Sequence, residues 1–216
     1  MLITNSDDLL NHCLEFSKSD FITVDTEFIR ENTYWPKLCL IQIADKKNAV
    51  AIDPLNPNLD MNPLWKLFTN LEIVKVFHSC SQDMAILYQT MGSVPGPIFD
   101  TQIAAMFCGL GTQPSYASLV SALMGITVDK APQMTDWSRR PLTSNQLKYA
   151  LNDVIYLVHI YESLLRILKN NGRQEWVSGE FTELESVDSY EIDHMEQWRR
   201  INVKQLSPKS LEALRQ

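Results

Sequence analysis

At 216 residues, the chain has room for one domain of about 150–200 residues and a shorter appendage. Its composition, with 45% hydrophobic and 21% charged residues, is that of a folded protein and excludes a disordered chain or a coiled coil. The formal net charge is −7, which by itself disfavours a nucleic-acid partner because basic residues drive phosphate binding.

The sequence carries no pattern of a membrane span or a secretion signal. Its longest apolar runs, at residues 38–44 and 48–52, are strand-sized, and the N-terminus has no basic segment followed by an apolar one. The four cysteines form no CxxC pair, so neither a zinc site nor a disulfide framework is indicated. We therefore expect a cytoplasmic protein with free thiols.

The first two thirds of the chain alternate between helix and strand patterns. Helices are predicted, the first of them capped by Ser6, at residues 6–17, 63–68, 81–91, 101–109 and 115–124. Strands are predicted, the second and third joined as a hairpin, at residues 21–28, 38–44, 48–53, 73–78 and 98–99. Three meandering strands followed by alternating helices and strands predict one mixed sheet of about five strands with helices on its faces.

The clearest helix pattern begins near Thr143. Thr143 and Gln146 make a capping box, and apolar residues then recur at steps of four and three as far as Leu168. Asn171 and Gly172 end it. Residues 1–172 therefore read as the main domain, residues 173–190 as an acidic linker and residues 191–216 as a helical tail.

Two carboxylates interrupt an apolar strand. Asp25 and Glu27 are two residues apart on the predicted strand, so both point to the same side of the sheet. Burying two like charges together is costly unless a cation compensates. A D-x-E pair is nevertheless common by chance, and alone it favours no metal site.

Three further residues lie where they could join this pair. Asp83 follows the strand at residues 73–78, where sites in α/β sheets gather, although taken alone it is better explained as an acid that stabilises a helix N-terminus. Tyr149 and Asp153 are four residues apart on the strongest helix, so a phenol and a carboxylate share one face. A partly exposed helical acid is the simpler explanation of Asp153 alone.

Oxygen ligands of this kind suit hard divalent cations, and a pair of such ions can clamp the attacking and leaving oxygens of a phosphoryl displacement. The charge distribution is compatible with that idea. Residues 173–196 carry −7 and residues 197–216 carry +4, which leaves −4 for residues 1–172, the charge of the four carboxylates themselves. The acidity of the chain is therefore no argument against a phosphate substrate.

The segments FITVDTEF, KVFHSCSQD and YALND resemble the three exonuclease motifs of the DEDD superfamily, in the subtype with Tyr in Y-x-x-x-D. The segments TVDTEFIRENTYWPKLCLIQIAD, IFDTQIAAMFCG and TDWSRRPLT are similar to ribonuclease D sequences, in order. The resemblance covers roughly residues 1–172 and implies a ribonuclease-H-like fold. It is specific, because all five functional positions of the family are in register.

The resemblance also implies the chemistry. Asp25, Glu27 and Asp153 would hold the ion that activates water, Asp25 would also reach a second ion supported by Asp83, and Tyr149 would position the water. The implied cofactors are two divalent cations, Mg²⁺ or Mn²⁺. The implied reaction removes 5′-mononucleotides from RNA 3′ ends, such as those of tRNA precursors, in a protein expected to be monomeric.

Two alternatives stay open from the sequence: a 3′–5′ exonuclease that prefers DNA, and an inactive RNA-binding module that keeps the fold. The 2′-hydroxyl contacts that separate RNA from DNA cannot be located from the sequence. Ribonuclease D commonly has C-terminal HRDC domains, and residues 191–216 resemble only the start of one.

Five residues are candidates for substrate contacts, each with a structural alternative. An aromatic ring can stack on a base and a guanidinium can bind phosphate, whereas a packed ring or a solvated cation is the simpler explanation. A structural hydrogen bond is the alternative for the histidine. The candidates are Phe28, Arg30, His78, Trp137 and Arg139. Asp100 is predicted to be a helix N-cap and not a fifth ligand.

Overall fold

A mixed β-sheet is the centre of the fold in the computed structural model, which describes residues 1–30, 35–128 and 135–191. Its strands in these residues are β1 (Leu2–Ile3), β2 (Phe21–Ile29), β3 (Lys37–Ala44), β4 (Ala49–Ile52), β5 (Val74–Phe77) and β6 (Ile98–Asp100). They lie in the order β1-β4-β3-β2-β5-β6. The predicted mixed sheet is confirmed, but the predicted number of five strands was wrong, since the described sheet has six. The sequence did not indicate β1, because a two-residue strand is too short to show an alternation of apolar and polar residues.

The strand pairing combines a meander with parallel additions. β2, β3 and β4 are antiparallel neighbours, as the predicted hairpin required, and Asp45 closes the turn by accepting from the backbone N–H groups of Lys47 and Asn48. Three parallel pairs complete the sheet: β1 joins β4, β5 joins β2, and β6 joins β5. The chain therefore places the middle of β2, just before Asp25, beside the end of β5, where the first two predicted motifs meet.

Helices cover both faces of the sheet. The helices are α1 (Ser6–Phe16), α2 (Asn62–Phe68), α3 (Ser81–Met91), α4 (Thr101–Phe107), α5 (Tyr116–Met124), α6 (Ser144–Asn170) and α7 (Gln174–Leu184). The first three pack on one face with Ile22 and Val24, and the last four pack on the other with Phe21 and Phe99. Burial of each such side chain contributes about 1.5–3 kcal/mol.

Most helix predictions are confirmed, with one change at a cap. Asn5, not Ser6, caps α1, because its side chain accepts a hydrogen bond of 2.9 Å from the N–H group of Asp8. Ser6 lies one residue inside the helix and its hydroxyl instead accepts from Asp60 N–H. No described helix is long and apolar enough to cross a membrane.

The long helix α6 has the predicted capping box. The Thr143 hydroxyl accepts from Gln146 N–H at 3.2 Å, and the Gln146 side chain accepts from Thr143 N–H at 3.0 Å. The helix packs across β2, β3 and β4, and the Thr23 hydroxyl donates to its Val154 carbonyl at 2.8 Å. This bond fixes the height of α6 above β2, and so of the residues that α6 carries.

The segment at residues 173–190 differs from the prediction of an acidic linker. Residues 174–184 form α7, whose Val177 and Phe181 are buried against α4, α6 and β6. Arg173 donates to the Phe107 carbonyl at 2.8 Å, and Glu185 accepts from Ile98 N–H at 2.7 Å. The acidic residues of α7 itself face solvent, and in the sequence they obscured the buried pair Val177 and Phe181. The predicted tail at residues 192–216 lies outside the described residues.

An ion pair between buried Asp53 and partly exposed Arg140 ties the loop before α6 to the sheet. Arg140 makes two hydrogen bonds of 2.7 Å to the carboxylate of Asp53, which follows β4, and a third of 2.7 Å to the Cys39 carbonyl. The same guanidinium donates to the Trp137 carbonyl at 2.8 Å. Bidentate pairs of this geometry are among the strongest hydrogen bonds in proteins. The loop is therefore held at a fixed position beside the start of α6.

Candidate active site

Three predicted carboxylates converge above β2. Asp25 and Glu27 lie on the same side of this strand, and Asp153 approaches them from α6. One carboxylate oxygen from each residue lies within 4.8 Å of the others. Residues 128 positions apart in the chain thus form one cluster, because α6 crosses β2 at this point.

The fourth predicted carboxylate reaches the cluster from α3. Asp83 lies in the first turn of that helix, is 9% exposed and accepts a hydrogen bond from the Thr26 hydroxyl. Thr26 stands between Asp25 and Glu27 on β2, so this bond brings Asp83 beside them. The pKa of Asp83 is raised by burial and, next, by the charge of Asp25. We call Asp25, Glu27, Asp83 and Asp153 the carboxylate site.

Asp100 positions the helix that carries Asp83. Its side chain caps α4, as predicted, by accepting from the N–H groups of Gln102 and Ile103 at 2.7 and 3.3 Å. It also accepts from the N–H groups of Ser79 and Cys80 at 3.1 and 2.8 Å. One carboxylate therefore joins the starts of α3 and α4, as the predicted N-cap role requires.

Two tyrosines hold Asp153. Tyr149 lies one turn earlier on α6, and its hydroxyl is hydrogen-bonded to the Asp153 side chain. Tyr116, from α5, donates to the Asp153 backbone carbonyl at 2.5 Å. Burial, followed by the charge of Asp153, raises the pKa of both phenols well above its usual range. Both phenols are therefore neutral at pH 7 and act through hydrogen bonds.

The electrostatics of the carboxylate site favour a bound cation. Burial raises the pKa of all four carboxyl groups, and mutual repulsion raises it further for Asp25, Glu27 and Asp83. The pKa of Asp25 and of Asp153 reaches about 7. Among the described residues, no lysine or arginine contributes to these pKa shifts. A positive charge from outside the chain would relieve the repulsion.

The residues fit a hard divalent cation. All of the converging ligand atoms are carboxylate oxygens, the type that Mg²⁺ and Mn²⁺ prefer. Oδ1 of Asp153 is buried without a hydrogen-bond partner, although a buried polar atom normally has one. Unused acceptor capacity on a carboxylate that clusters with two others is what a metal ligand requires.

A groove leads away from the carboxylate site along the start of α6. A cavity of about 600 Å³ is lined by Tyr149 and Asp153 and by the polar side chains of Asn145, Lys148 and Asn152. A second cavity of about 550 Å³ contains Arg139 and Arg140. The two cavities share Thr135, Thr143 and Gln146, so they form one continuous groove. The volume of the first suits a ligand of nucleotide size.

Two of the predicted substrate contacts are internal. Trp137 is 1% exposed and packs against Tyr149 with ring centroids 6.3 Å apart, so its ring cannot stack on a base. His78 is half-buried, with Nδ1 at 3.0 Å from the Thr101 hydroxyl and a second hydrogen bond to the Pro114 carbonyl. Burial lowers the pKa of His78, so the ring is neutral at pH 7. Trp137 thus packs against Tyr149, and the His78 ring packs edge-on against Tyr116 with centroids 5.6 Å apart. Contact of half-buried His78 with substrate stays a prediction.

The other three candidates are more accessible. Phe28 is partly buried against the core, and the Arg30 guanidinium lies 5.4 Å from the centre of its ring. Arg30 is exposed at the end of β2. Arg139 is exposed in the groove, and its Nε lies 3.6 Å from Asp136. The contacts of these three residues with substrate remain a prediction.

The sequence patterns did not single out three residues that surround the site: Thr26, Gln42 and Tyr116. Thr26 lies between two predicted ligands, and Gln42 is the one polar residue inside the apolar run LCLIQIA. Either feature could have drawn attention to the residue. Tyr116 begins a helix of ordinary appearance, and only the packing of α5 on α6 brings it to Asp153.

Comparisons with known proteins agree with this geometry. A family model described as 3′-5′ exonuclease matches residues 1–169. Ribonuclease D of Zymomonas mobilis is 49% identical over 203 residues, which make up 94% of this chain and 52% of that protein. The chain spans about half the length of the curated relatives it matches.

Solved structures are similar over nearly the whole chain. Escherichia coli RNase D, described as an exoribonuclease involved in structured RNA processing, superposes with a TM-score of 0.88 at 35% identity over 98% of this chain and 56% of that one. Brucella melitensis NrnC with bound Mg²⁺ gives a TM-score of 0.74 at 26% identity, over 95% of this chain and 96% of that one. NrnC was also solved bound to pGG.

Proposed function

Because the chain belongs to the 3′-5′ exonuclease family, we propose that it is a 3′–5′ exoribonuclease that removes mononucleotides from RNA ends with two divalent cations, Mg²⁺ or Mn²⁺. The observation that carries the proposal is the cluster of Asp25, Glu27 and Asp153 oxygens within 4.8 Å, beside a groove that Asp153 lines. The Mg²⁺ in the structure of the Brucella relative supports the choice of cation.

The carboxylate site would hold the cations, with Asp25, Glu27 and Asp153 around one and Asp25 and Asp83 around the other. When bound, divalent cations supply the positive charge that stabilises the attacking and leaving oxygens of a phosphoryl transfer. The remaining chemistry belongs to the side chains. Tyr149, held neutral beside Asp153, would orient the attacking water by a hydrogen bond, and its raised pKa makes it a poor general base.

The groove would hold the RNA end. The first cavity would accept the 3′-terminal nucleotide, with Asn145, Lys148 and Asn152 as hydrogen-bonding groups. Arg139 in the second cavity would bind a phosphate further along the strand, and Arg30 would bind one near the end of β2. Phe28 remains a candidate for stacking on a base.

The substrate is proposed to be a structured RNA, such as a tRNA precursor. The description of the Escherichia coli relative supports structured RNA, and the pGG bound by the Brucella relative shows that a protein of this fold accepts a short nucleotide. We further propose that the protein is a cytoplasmic monomer, and that residues 192–216 correspond to the start of an HRDC-like module.

The test follows an RNA strand labelled at its 5′ end. With MgCl₂ or MnCl₂, the protein should produce a ladder that shortens from the 3′ end, and EDTA should stop it. A circular RNA of the same sequence should stay intact, because it offers no 3′ end. Cleavage in EDTA, or cutting of the circle, would contradict the proposal.

Two arms of the same assay separate the alternatives. Asp153→Asn should bind the strand without degrading it, which controls for a contaminating nuclease. A DNA strand of the same sequence should be degraded more slowly than RNA; faster degradation would favour the DNA exonuclease. Binding without degradation by the wild-type protein would identify an RNA-binding module.

A further inference from the structure

Gln42 is a polar residue buried inside the apolar strand β3. It is 0% exposed, and neither its Nε2 nor its Oε1 atom has a hydrogen-bond partner. In the described part of the chain, four buried side-chain atoms lack a partner, and three of them belong to Gln42 and Asp153. Burying an unpaired amide is costly, so such groups are few in native proteins and need an explanation.

Among the direct neighbours of Gln42 in the sheet, one has a polar side chain on the same face, and it is Asp25. Across the β3–β2 pairing it lies opposite Asp25, and across the β3–β4 pairing it lies opposite Ala51. Along its own strand, the residues on the same face are Leu40 and Ala44, both apolar. Directly opposite residues have Cβ atoms about 4.5–5.5 Å apart and share a face, so the Gln42 amide is within reach of the Asp25 carboxylate.

We propose that Gln42 is a positioning residue of the carboxylate site, whose unpaired Nε2 group would donate a hydrogen bond to the Asp25 carboxylate when that carboxylate binds a cation, and so fix its orientation. An ionised carboxylate only accepts hydrogen bonds, and an amide supplies two donors. Hydrogen bonds of this outer kind orient metal ligands and alter metal affinity. The inference rests on the proposed function, because it requires a cation at Asp25.

The test measures metal binding without RNA. Gln42→Met keeps the length of the side chain but removes its donors and its acceptor. Titration calorimetry with MnCl₂ should give an affinity about 10- to 100-fold lower than that of the wild type. The melting temperature in EDTA should be equal or higher, because two unpaired buried atoms are gone.

Ile41→Val is the matched control. Ile41 is the preceding residue of β3, is 0% exposed and faces the opposite side of the sheet. Its substitution should lower the melting temperature and leave Mn²⁺ affinity unchanged, because it removes packing and no polar contact. An effect of Gln42→Met that came only from a disturbed strand would appear in both variants.

An unchanged Mn²⁺ affinity in Gln42→Met would overturn the inference and assign the amide to a buried water. Absence of Mn²⁺ binding by the wild type would contradict the proposed function itself, a different result. A measurement on the wild type removes any dependence on variant folding. The side-chain amide resonances of Gln42 should shift on addition of MgCl₂ while those of exposed Gln174 do not, and no shift at Gln42 would also overturn the inference.

Discussion

Two places in the molecule bury carboxylates against the sheet and stabilise them in opposite ways. Asp53 is 6% exposed, and Arg140 neutralises it through two hydrogen bonds of 2.7 Å. At the carboxylate site, three carboxylates lie within 4.8 Å of one another, and no lysine or arginine of the described residues contributes to their pKa shifts. At Asp53, which has a structural role, the chain supplies the compensating positive charge from Arg140. At the carboxylate site, where we propose catalysis, a bound metal ion would supply it.

The largest expected effect is a loss of exonuclease activity, which should follow a substitution at the carboxylate site but not one at the Asp53–Arg140 pair. Asp25→Asn should lower exonuclease activity by about a thousandfold, the upper end of what loss of one group that stabilises transition-state charge costs. Its melting temperature in EDTA should not fall, because the substitution removes a repelling charge. The ladder assay and a thermal melt give both quantities.

Asp53→Asn is the comparison for that variant. It should lower the melting temperature and leave the folded protein responsive to Mn²⁺. Near-normal activity of Asp25→Asn would remove Asp25 from the proposed site.

The next effect concerns stability at the ion pair. Arg140→Met should lower the free energy of unfolding by about 3–5 kcal/mol, because it leaves the Asp53 carboxylate buried and uncompensated. The double variant with Asp53→Leu should recover much of the loss, since an apolar pair can replace a buried ion pair. Denaturant titration measures both, and equal losses in the single and double variants would contradict the pairing.

Metal should stabilise the carboxylate site in a pH-dependent way. The pKa of Asp25 and Asp153 is raised from 3.8 to about 7 by burial, so the folded state favours their protonated forms. In EDTA, their contribution to stability is complete below pH 3.8 and is lost as the pH rises through about 7. A cation at 100 times its dissociation constant should then add about 2.7 kcal/mol.

The measurement is the melting temperature in EDTA and in MgCl₂ at pH 5 and pH 8. The difference between the two conditions should be larger at pH 8. An equal difference at both pH values, or none, would contradict a cation among these carboxylates. The Asp53–Arg140 pair provides the reference, because it needs no added ion.

A smaller effect is expected at Tyr149. Tyr149→Phe keeps the ring packed against Trp137 and removes the hydroxyl bonded to Asp153, so activity should fall about ten- to a hundredfold. Mn²⁺ affinity should stay near that of the wild type. A loss of metal binding equal to the loss of activity would mean that the hydroxyl acts only by holding Asp153.

The smallest effect concerns the groove, which runs from Asp153 at one end to Arg140 at the other. Arg139→Gln should weaken RNA binding for every sequence and reduce the dependence of log affinity on log salt by about 1, as expected for one lost phosphate contact. Arg166→Gln, an exposed site near the other end of α6, makes the same charge change and should leave this dependence unaltered. Equal slopes in both variants would exclude Arg139 as a contact.

Local sequence patterns predicted the elements that hold the carboxylate site. The two-residue spacing of Asp25 and Glu27 and the four-residue spacing of Tyr149 and Asp153 both depend on short periods, which the chain cannot alter once the strand and helix form. The capping box of Thr143 and Gln146 is equally local. The sequence spacing therefore predicted each local part of the site. That these parts lie together in the folded protein was predicted only from the family resemblance.

The sequence patterns did not predict features that depend on contacts between distant residues, or segments whose polar composition suggested a loop. Arg140 and Asp53 are 87 residues apart, and nothing near either one indicates the pair. Trp137 stands in a polar loop, yet the anchored loop turns it into the core. The acids of α7 suggested a tether because only Val177 and Phe181 face the sheet.

The joint between the starts of α3 and α4 limits which residues the surface can accept. Ser79 is exposed but has a φ of 59°, a left-handed backbone that its bond to Asp100 maintains. Exposed positions usually tolerate almost any side chain, but at residue 79 the left-handed backbone conformation restricts which side chains are accepted. Glycine or asparagine should be accepted at residue 79 and a β-branched residue rejected. A scan of all substitutions would therefore give Ser79 the narrow tolerance of a core residue, although its side chain is in water.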